Sequence, residues 1–206
     1  MQENNIINVS GIVNNEICVS HKIYSETFYS FDIKVKRLSE TFDILPVTVS
    51  EKLVDVNLIS KGNQINVSGQ IRSYNNYNIN DGKTKLILTI FARQLNFDTT
   101  FKNPNEVYLN GYICKMPVYR TTPFGREITD ILLAVNRSYN KSDYIPCIAW
   151  GRNAKFASRL NIADNVKIYA RMQSREYQKK LVTGEILNKT AYELSISKLE
   201  LNKIEQ

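Results

Sequence analysis

The chain repeats itself at a period of one hundred residues, and that period limits what it can fold into. Pro46 and Pro146 stand 100 residues apart, as do Gly11 and Gly111, Arg37 and Arg137, and Asp43 and Asp143. The contexts match as well: VSGIV with LNGYI, VKR with VNR, DILPVTV with DYIPCIA. Further on the offset drifts to 101, where INVSGQIRS (65–73) faces VKIYARMQS (166–174), and then to 104, where Leu95 faces Leu199. Loop insertions produce such drift when strands are kept. The unit is longer than a solenoid repeat, so each copy reads as a whole domain. The expected division is a domain over 1–98, a linker over 99–104 within the polar FDTTFKNPN, and a second domain over 105–206.

The second copy shows the element order more clearly. Glu106–Cys114 reads as a strand, Pro123-Phe124-Gly125 as a turn, Ile128–Asn136 as a strand and Ser138–Ser142 as a hairpin. Asp143–Trp150 is a further strand, and Asn153–Leu160 a short helix with Ala154, Ala157 and Leu160 at helical spacing. Val166–Ser174 and Thr190–Leu199 add two strands around a basic loop. The predicted fold class is all-β with short helices: two tandem five-stranded barrels of the OB type. Pro46 and Pro146 fall inside strands, where a missing N–H points to an edge, a bulge or a barrel opening. In the first copy Ser50 suits a helix N-cap before EKLVDVNLI.

Composition narrows the function classes. No apolar run approaches the roughly 20 residues of a membrane span, and the polar MQENNIINVSG start lacks a signal peptide's regions. The expectation is a cytoplasmic protein with no membrane contact. Cys18, Cys114 and Cys147 are odd in number and lack zinc spacing, and His21 is the only histidine. Cys114 and Cys147 sit in apolar runs and read as buried thiols; no disulfide framework, structural metal or cofactor is expected. The net charge is +7. Residues 1–102 hold 11 Lys and Arg against 10 Asp and Glu, whereas residues 103–206 hold 16 against 10. The positive excess therefore lies in the second half, where it serves solubility or a polyanion.

That half also concentrates exposed-looking rings. Side chains alternate along a strand, so Tyr144, Pro146, Ile148 and Trp150 share one face and Asp143, Ile145, Cys147 and Ala149 the other. The second set looks like barrel interior, which puts Tyr144 and Trp150 outside, about 20 Å apart along an ideal strand. Tyr139 lies in the preceding hairpin, and Tyr177 in RMQSREYQKK after the fourth strand. Around them are Arg120, Arg126, Arg137, Lys141, Arg152, Arg171, Arg175, Lys179 and Lys180. A ring for each base and a cation for each phosphate is what a single-stranded nucleic acid needs. An aromatic on a strand more often fills a core, and surface arginines are often only solvated. Against that stands the coincidence of four rings, the charge excess and the basic loops in one copy.

These residues carry a resemblance to bacterial-type single-stranded DNA-binding proteins. It covers roughly 105–200, through NEVYLNGYICKMPVYRTTPFGREITDILLAVNRSYNKSDYIPCIAWGRNA, RMQSREY and TAYELSISKLE, with IPCIAWGRNA the most specific element. The resemblance implies base stacking on Tyr139, Tyr144, Trp150 and Tyr177. It also implies phosphate contacts from Arg137, Lys141, Arg152, Arg171 or their neighbours. The first copy has Ser39, Ile44, Ser50 and Asn76 at the four ring positions, with Tyr74 and Tyr77 near the last. It is read as a degenerate OB domain with a structural role. Family members often carry an acidic tail that recruits replication proteins. This sequence stops at KLELNKIEQ, so that role is not carried over.

The resulting expectation is a non-catalytic, sequence-nonspecific single-stranded DNA-binding protein of replication, recombination or repair. It would be nucleoid-associated in a bacterium and a homodimer supplying four OB domains. The alternative is an OB-fold primosomal or plasmid/phage accessory interaction protein with secondary DNA binding. RNA stays open, since nothing visible reads a 2′-hydroxyl. An enzyme would need a site such as Glu127, Asp130 and Asp143 around a metal; the chain has no P-loop or nucleophile motif to support one.

Overall fold

The computed structural model describes residues 4–78, 83–97, 105–180, 184 and 186–202. The expected linker over 99–104 lies outside them. Strands dominate: β1 (Asn5–Val13), β2 (Cys18–Ile23), β3 (Glu26–Lys36), β4 (Phe42–Ser50), β5 (Gln64–Asn78) and β6 (Lys83–Asn96) in the first half. The second half has β7 (Asn105–Ile113), β8 (Val118–Thr121), β9 (Glu127–Arg137), β10 (Lys141–Trp150), helix α1 (Arg152–Ala157), β11 (Asn165–Lys180) and β12 (Ile186–Leu201).

Five strands of each half close on themselves in the order β1-β3-β4-β6-β5 and, in the second half, β7-β9-β10-β12-β11. These are the two expected barrels. Each has a sixth strand that the sequence reading missed, β2 or β8, which extends the sheet beyond β3 or β9. Closure rests on a two-residue parallel contact: Val47 and Thr48 with Ile90 and Phe91, Cys147 and Ile148 with Leu194 and Ser195. Pro46 and Pro146 stand one residue before these contacts, at the barrel opening, where a missing donor breaks the fewest bonds.

The core is duplicated residue by residue. Ile33, Val35, Leu45, Val47 and Val49 are buried in one barrel, and Leu133, Val135, Ile145, Cys147 and Ala149 occupy the same places in the other. Alternation predicts this face, with one exception on the opposite side: Ile148, expected outside with Tyr144 and Trp150, is buried.

The barrels join through β1 and β7, which pair antiparallel over Asn5–Val9 and Asn105–Leu109 and make the twelve strands one sheet. The same edge of β1 then meets β3 at Ile12 and Val13, and β7 meets β9 at Tyr112 and Ile113. Gly11 and Gly111 lie at this change of partner. A Cβ on Gly11 would come within 2.7 Å of the Lys34 carbonyl oxygen, and one on Gly111 within 2.6 Å of that of Ala134. The repeated glycine is therefore a steric requirement for closing the barrel.

The halves differ where the first was expected to hold a helix. The helix expected over Asn153–Leu160 forms over Arg152–Ala157 as α1, with Ala154, Ala157 and, beyond its end, Leu160 packed inward. In the first half the Asp55 side chain accepts from the Asn57 N–H at 3.0 Å, and only a 3₁₀ turn over Val56–Leu58 forms. Ser50 does accept from the Lys52 N–H at 3.1 Å, the contact an N-cap makes, but no α-helix follows it. The β-branched Val54 and Val56 beside a capping Asp favour the short turn over a continuing helix.

Gly111→Ala should destabilise the full chain by about 1–3 kcal/mol through overpacking against backbone. Gly11→Ala should do the same. Urea unfolding followed by circular dichroism reads both values, and an unchanged midpoint for either would contradict the crossing geometry.

Candidate nucleic-acid interface

The four predicted rings are accessible. Tyr139 is 94 % exposed, Tyr144 46 %, Trp150 37 % and Tyr177 37 %. Tyr139 and Asn140 turn the β9–β10 hairpin with φ of 62° and 53°. The left-handed region costs a side chain with a Cβ roughly 1–2 kcal/mol. The hairpin turn itself calls for it, since Glu40 in the matching hairpin of the first barrel has φ of 63°; the Tyr139 ring projects from the turn into solvent.

Trp150 stands on β10 opposite Ile128 of β9, which in turn faces Arg120 of β8. These residues line a groove of about 340 Å³ with Ile148, Gln173, Arg175 and Glu193. The groove thus joins the outer faces of β8–β10 and β11–β12. Tyr177 lies farther along β11, on the same side as Gln173 and Arg175, with the Arg175 guanidinium 5.9 Å from its ring centroid. The expected basic loop is a strand: Tyr177 pairs with Lys189 and Lys180 with Ile186 in a two-stranded ribbon. Beyond Ala170, β11 has β12 as its only ladder partner among the described residues.

The predicted cations divide into held and open groups. Arg120 makes a two-point ion pair with Asp130, at 2.7 and 3.2 Å. Arg175 sits 3.7 Å from Glu193, and Arg137 donates to Asp143 at 3.3 Å. Arg126, Lys141 and Arg152 are exposed and make no salt bridge among the described residues. Arg171 is half-buried, in a second groove with Tyr108 and Tyr169. Lys179 and Lys180 end β11, and their side chains lie outside the described ones.

The polar residues that both copies keep do something the sequence reading did not assign. Asp43 and Asp143 are buried and reach the opposite barrel. Asp143 accepts from the Ser73 N–H at 2.7 Å and from Arg72 at 2.9 Å, both on β5, while the Tyr144 N–H donates to Ser73 Oγ at 2.7 Å. In the mirrored clasp Asp43 accepts from the Ser174 N–H at 2.7 Å, and the Ile44 N–H donates to Ser174 Oγ at 3.0 Å. Arg37 binds Asp43 through both Nε and Nη2 and donates to the Ser174 carbonyl at 2.7 Å. Hydrogen bonding to Asp43 raises the Arg37 pKa above its ordinary value. Burial lowers that of Arg72 despite Asp143. A second repeated pair works within each barrel: Asn5 of β1 bridges both backbone groups of Ile71 on β5, and Asn105 of β7 those of Met172 on β11. The signal for these residues was the repeat itself, since Ser73 and Ser174 align at an offset of 101 and Asn5 and Asn105 at 100.

The acids of the enzyme reading are each engaged separately. Asp143 serves the clasp and Asp130 holds Arg120. Glu127 accepts from Tyr119 at 2.6 Å and pairs with Lys155, contacts that lower its pKa. Cys147 is fully buried, and burial pushes its thiol pKa up. Cys114 is half-buried and shifted the same way, while Cys18 is exposed.

Residues 104–202 match the single-strand binding protein family. Over 81 residues the chain is 35% identical to single-stranded DNA-binding protein 1 of Staphylococcus aureus (strain COL), covering 36% of this chain and 48% of that protein. It is 33% identical over 81 residues to single-stranded DNA-binding protein A of Bacillus subtilis (strain 168), covering 36% and 47%. The chain spans about half the length of these relatives. In three dimensions it is similar to the wild-type single-stranded DNA binding protein from Thermus aquaticus. The TM-score is 0.72 at 18% identity, over 98% of this chain and 94% of that one. At that identity the likeness establishes the fold: all-β, with two OB barrels in tandem.

Asp143→Ala would leave Arg72 and Arg137 without their buried partner and should cost about 3–5 kcal/mol of stability. Asp130→Ala, at an exposed pair, should cost less than about 1 kcal/mol. Chemical unfolding of the two variants separates these values; equal small losses would contradict a buried clasp.

Proposed function

We propose that this chain, whose second barrel is of the single-strand binding protein family, binds single-stranded DNA through the outer face of that barrel. Bases stack on Tyr139, Tyr144, Trp150 and Tyr177, and cations along the same face neutralise the backbone. The observation that carries this reading is the contrast between the copies. The first barrel closes with Ser39, Ile44, Ser50 and Asn76 where the second has four accessible rings. The fold does not require the rings, and a ligand with π-faces explains them.

Sequence preference is weak in this reading, because every base offers a face to stack on. The protein acts without catalysis in replication, recombination or repair, in the cytoplasm on nucleoid DNA, and two chains assemble to supply four barrels. Residues 1–98 and 105–206 form its two domains, with 99–104 between them. Among the cations, Lys141, Arg126 and Arg152 contribute most to phosphate binding, because Arg120 and Arg137 already have carboxylate partners.

Trp150→Ala should weaken oligo-dT binding by roughly 1–3 kcal/mol, the increment for one stacked base. Fluorescence anisotropy with labelled oligo-dT reads the loss; unchanged affinity in a folded variant would refute the reading. A salt series tests the cations. Lys141→Ala and Arg152→Ala should each reduce the slope of log affinity against log salt by about one phosphate's worth. Arg120→Ala should reduce it less, and an equal or larger reduction would contradict the ranking.

A further inference from the structure

The two clasps converge on strands that carry proposed stacking rings. Ser174 lies where the β11–β12 ribbon leaves the barrel, between Gln173 and Arg175 of the Trp150 groove and three residues before Tyr177. Its N–H, hydroxyl and carbonyl are all bonded to the first barrel, through Asp43, the Ile44 backbone and Arg37. Arg37 also lines the groove itself. A two-stranded ribbon in water sets its own course poorly. These bonds at its root are the contacts that can fix its direction. On the other side, the Tyr144 N–H is held by Ser73 of the first barrel.

We infer that the first barrel positions the rings of the second. Arg37 and Asp43 aim the ribbon that bears Tyr177 toward the path of a strand stacked on Trp150, and Ser73 fixes the backbone at Tyr144. Arg37, Asp43 and Ser73 are positioning residues in this scheme. The chemistry they organise is a run of single-stranded nucleotides crossing from β10 to the ribbon. The inference rests on the binding reading proposed above.

The test is a double-mutant cycle in the full chain, read by anisotropy of labelled dT oligomers of graded length. Asp43→Ala should lower affinity about three- to tenfold, part of one stacking contact, for oligomers long enough to reach from Trp150 to Tyr177. Shorter ones should bind as before. In a Tyr177→Ala background the same substitution should add less than about twofold, because coupled residues act non-additively. Ser174→Ala removes the hydroxyl's two contacts, with the Ile44 N–H and Asp43, and keeps Asp43 paired with Arg37. It should show the same length dependence at smaller size, and it carries the cycle if Asp43→Ala fails to fold. A loss equal at all lengths, a loss that adds fully to Tyr177→Ala, or no loss from the folded variants would overturn the inference while leaving the binding reading intact. If neither Trp150→Ala nor Tyr177→Ala weakens binding, the binding reading fails and the inference falls with it.

Discussion

Each of β1 and β7 divides one edge between two partners, and the rest of the molecule depends on that division. The first part of each strand pairs with the other and joins the barrels; the last part closes its own barrel. A strand can change partner so abruptly only where backbones approach closely, which is why Gly11 and Gly111 recur at this point. Once the strands are so placed, β5 of one barrel passes β10 of the other, and β11 passes β4. The buried carboxylates of Asp43 and Asp143 lie at these passages. A buried charge is tolerated where it is paired and hydrogen-bonded, and both acids accept backbone and guanidinium N–H groups.

The duplication separates two kinds of residue. Those kept in both copies, Gly11 and Gly111, Pro46 and Pro146, Arg37 and Arg137, Asp43 and Asp143, build the barrels and their junction. Those found in the second copy only, Tyr139, Tyr144, Trp150 and Tyr177, lie on its accessible outer face. On the first barrel's corresponding surface Tyr74 and Tyr77 of β5 stay exposed, while other rings pack together. His21 stacks on Phe28 at 4.8 Å, Phe91 lies 5.9 Å from Phe28, and Arg72 and Arg93 lean over Phe91. These rings face one another and their own arginines rather than an open groove.

Much of the fold was legible in the sequence because alternation reports a half-buried strand, and the repeat supplied each strand twice. The rings were legible for the same reason: alternation assigned Tyr144 and Trp150 to the outside. What alternation misses is a strand wet on both faces. REYQKK (175–180) has no apolar period, so it reads as a loop although it pairs with β12 to its end. The exposed four-residue β8 escaped for the same reason. Arg137 could not be assigned from sequence, since a cation beside exposed rings and a cation on a buried carboxylate look alike until Asp143 is placed in space. The contribution of the first barrel to the second barrel's groove, through Arg37, is a contact across 137 positions of chain, and no local pattern reports it.

The central claim is that the outer face of the second barrel, around Trp150, is where single-stranded DNA lies. The chain's only tryptophan makes that claim directly measurable. Titration of the full chain with unlabelled dT oligomers of increasing length, followed by Trp150 emission, should show quenching. The quenching should deepen with length until the face is covered and reverse on adding salt. Emission unchanged at oligomer concentrations where binding is complete by an independent measure would place the DNA elsewhere and contradict the account.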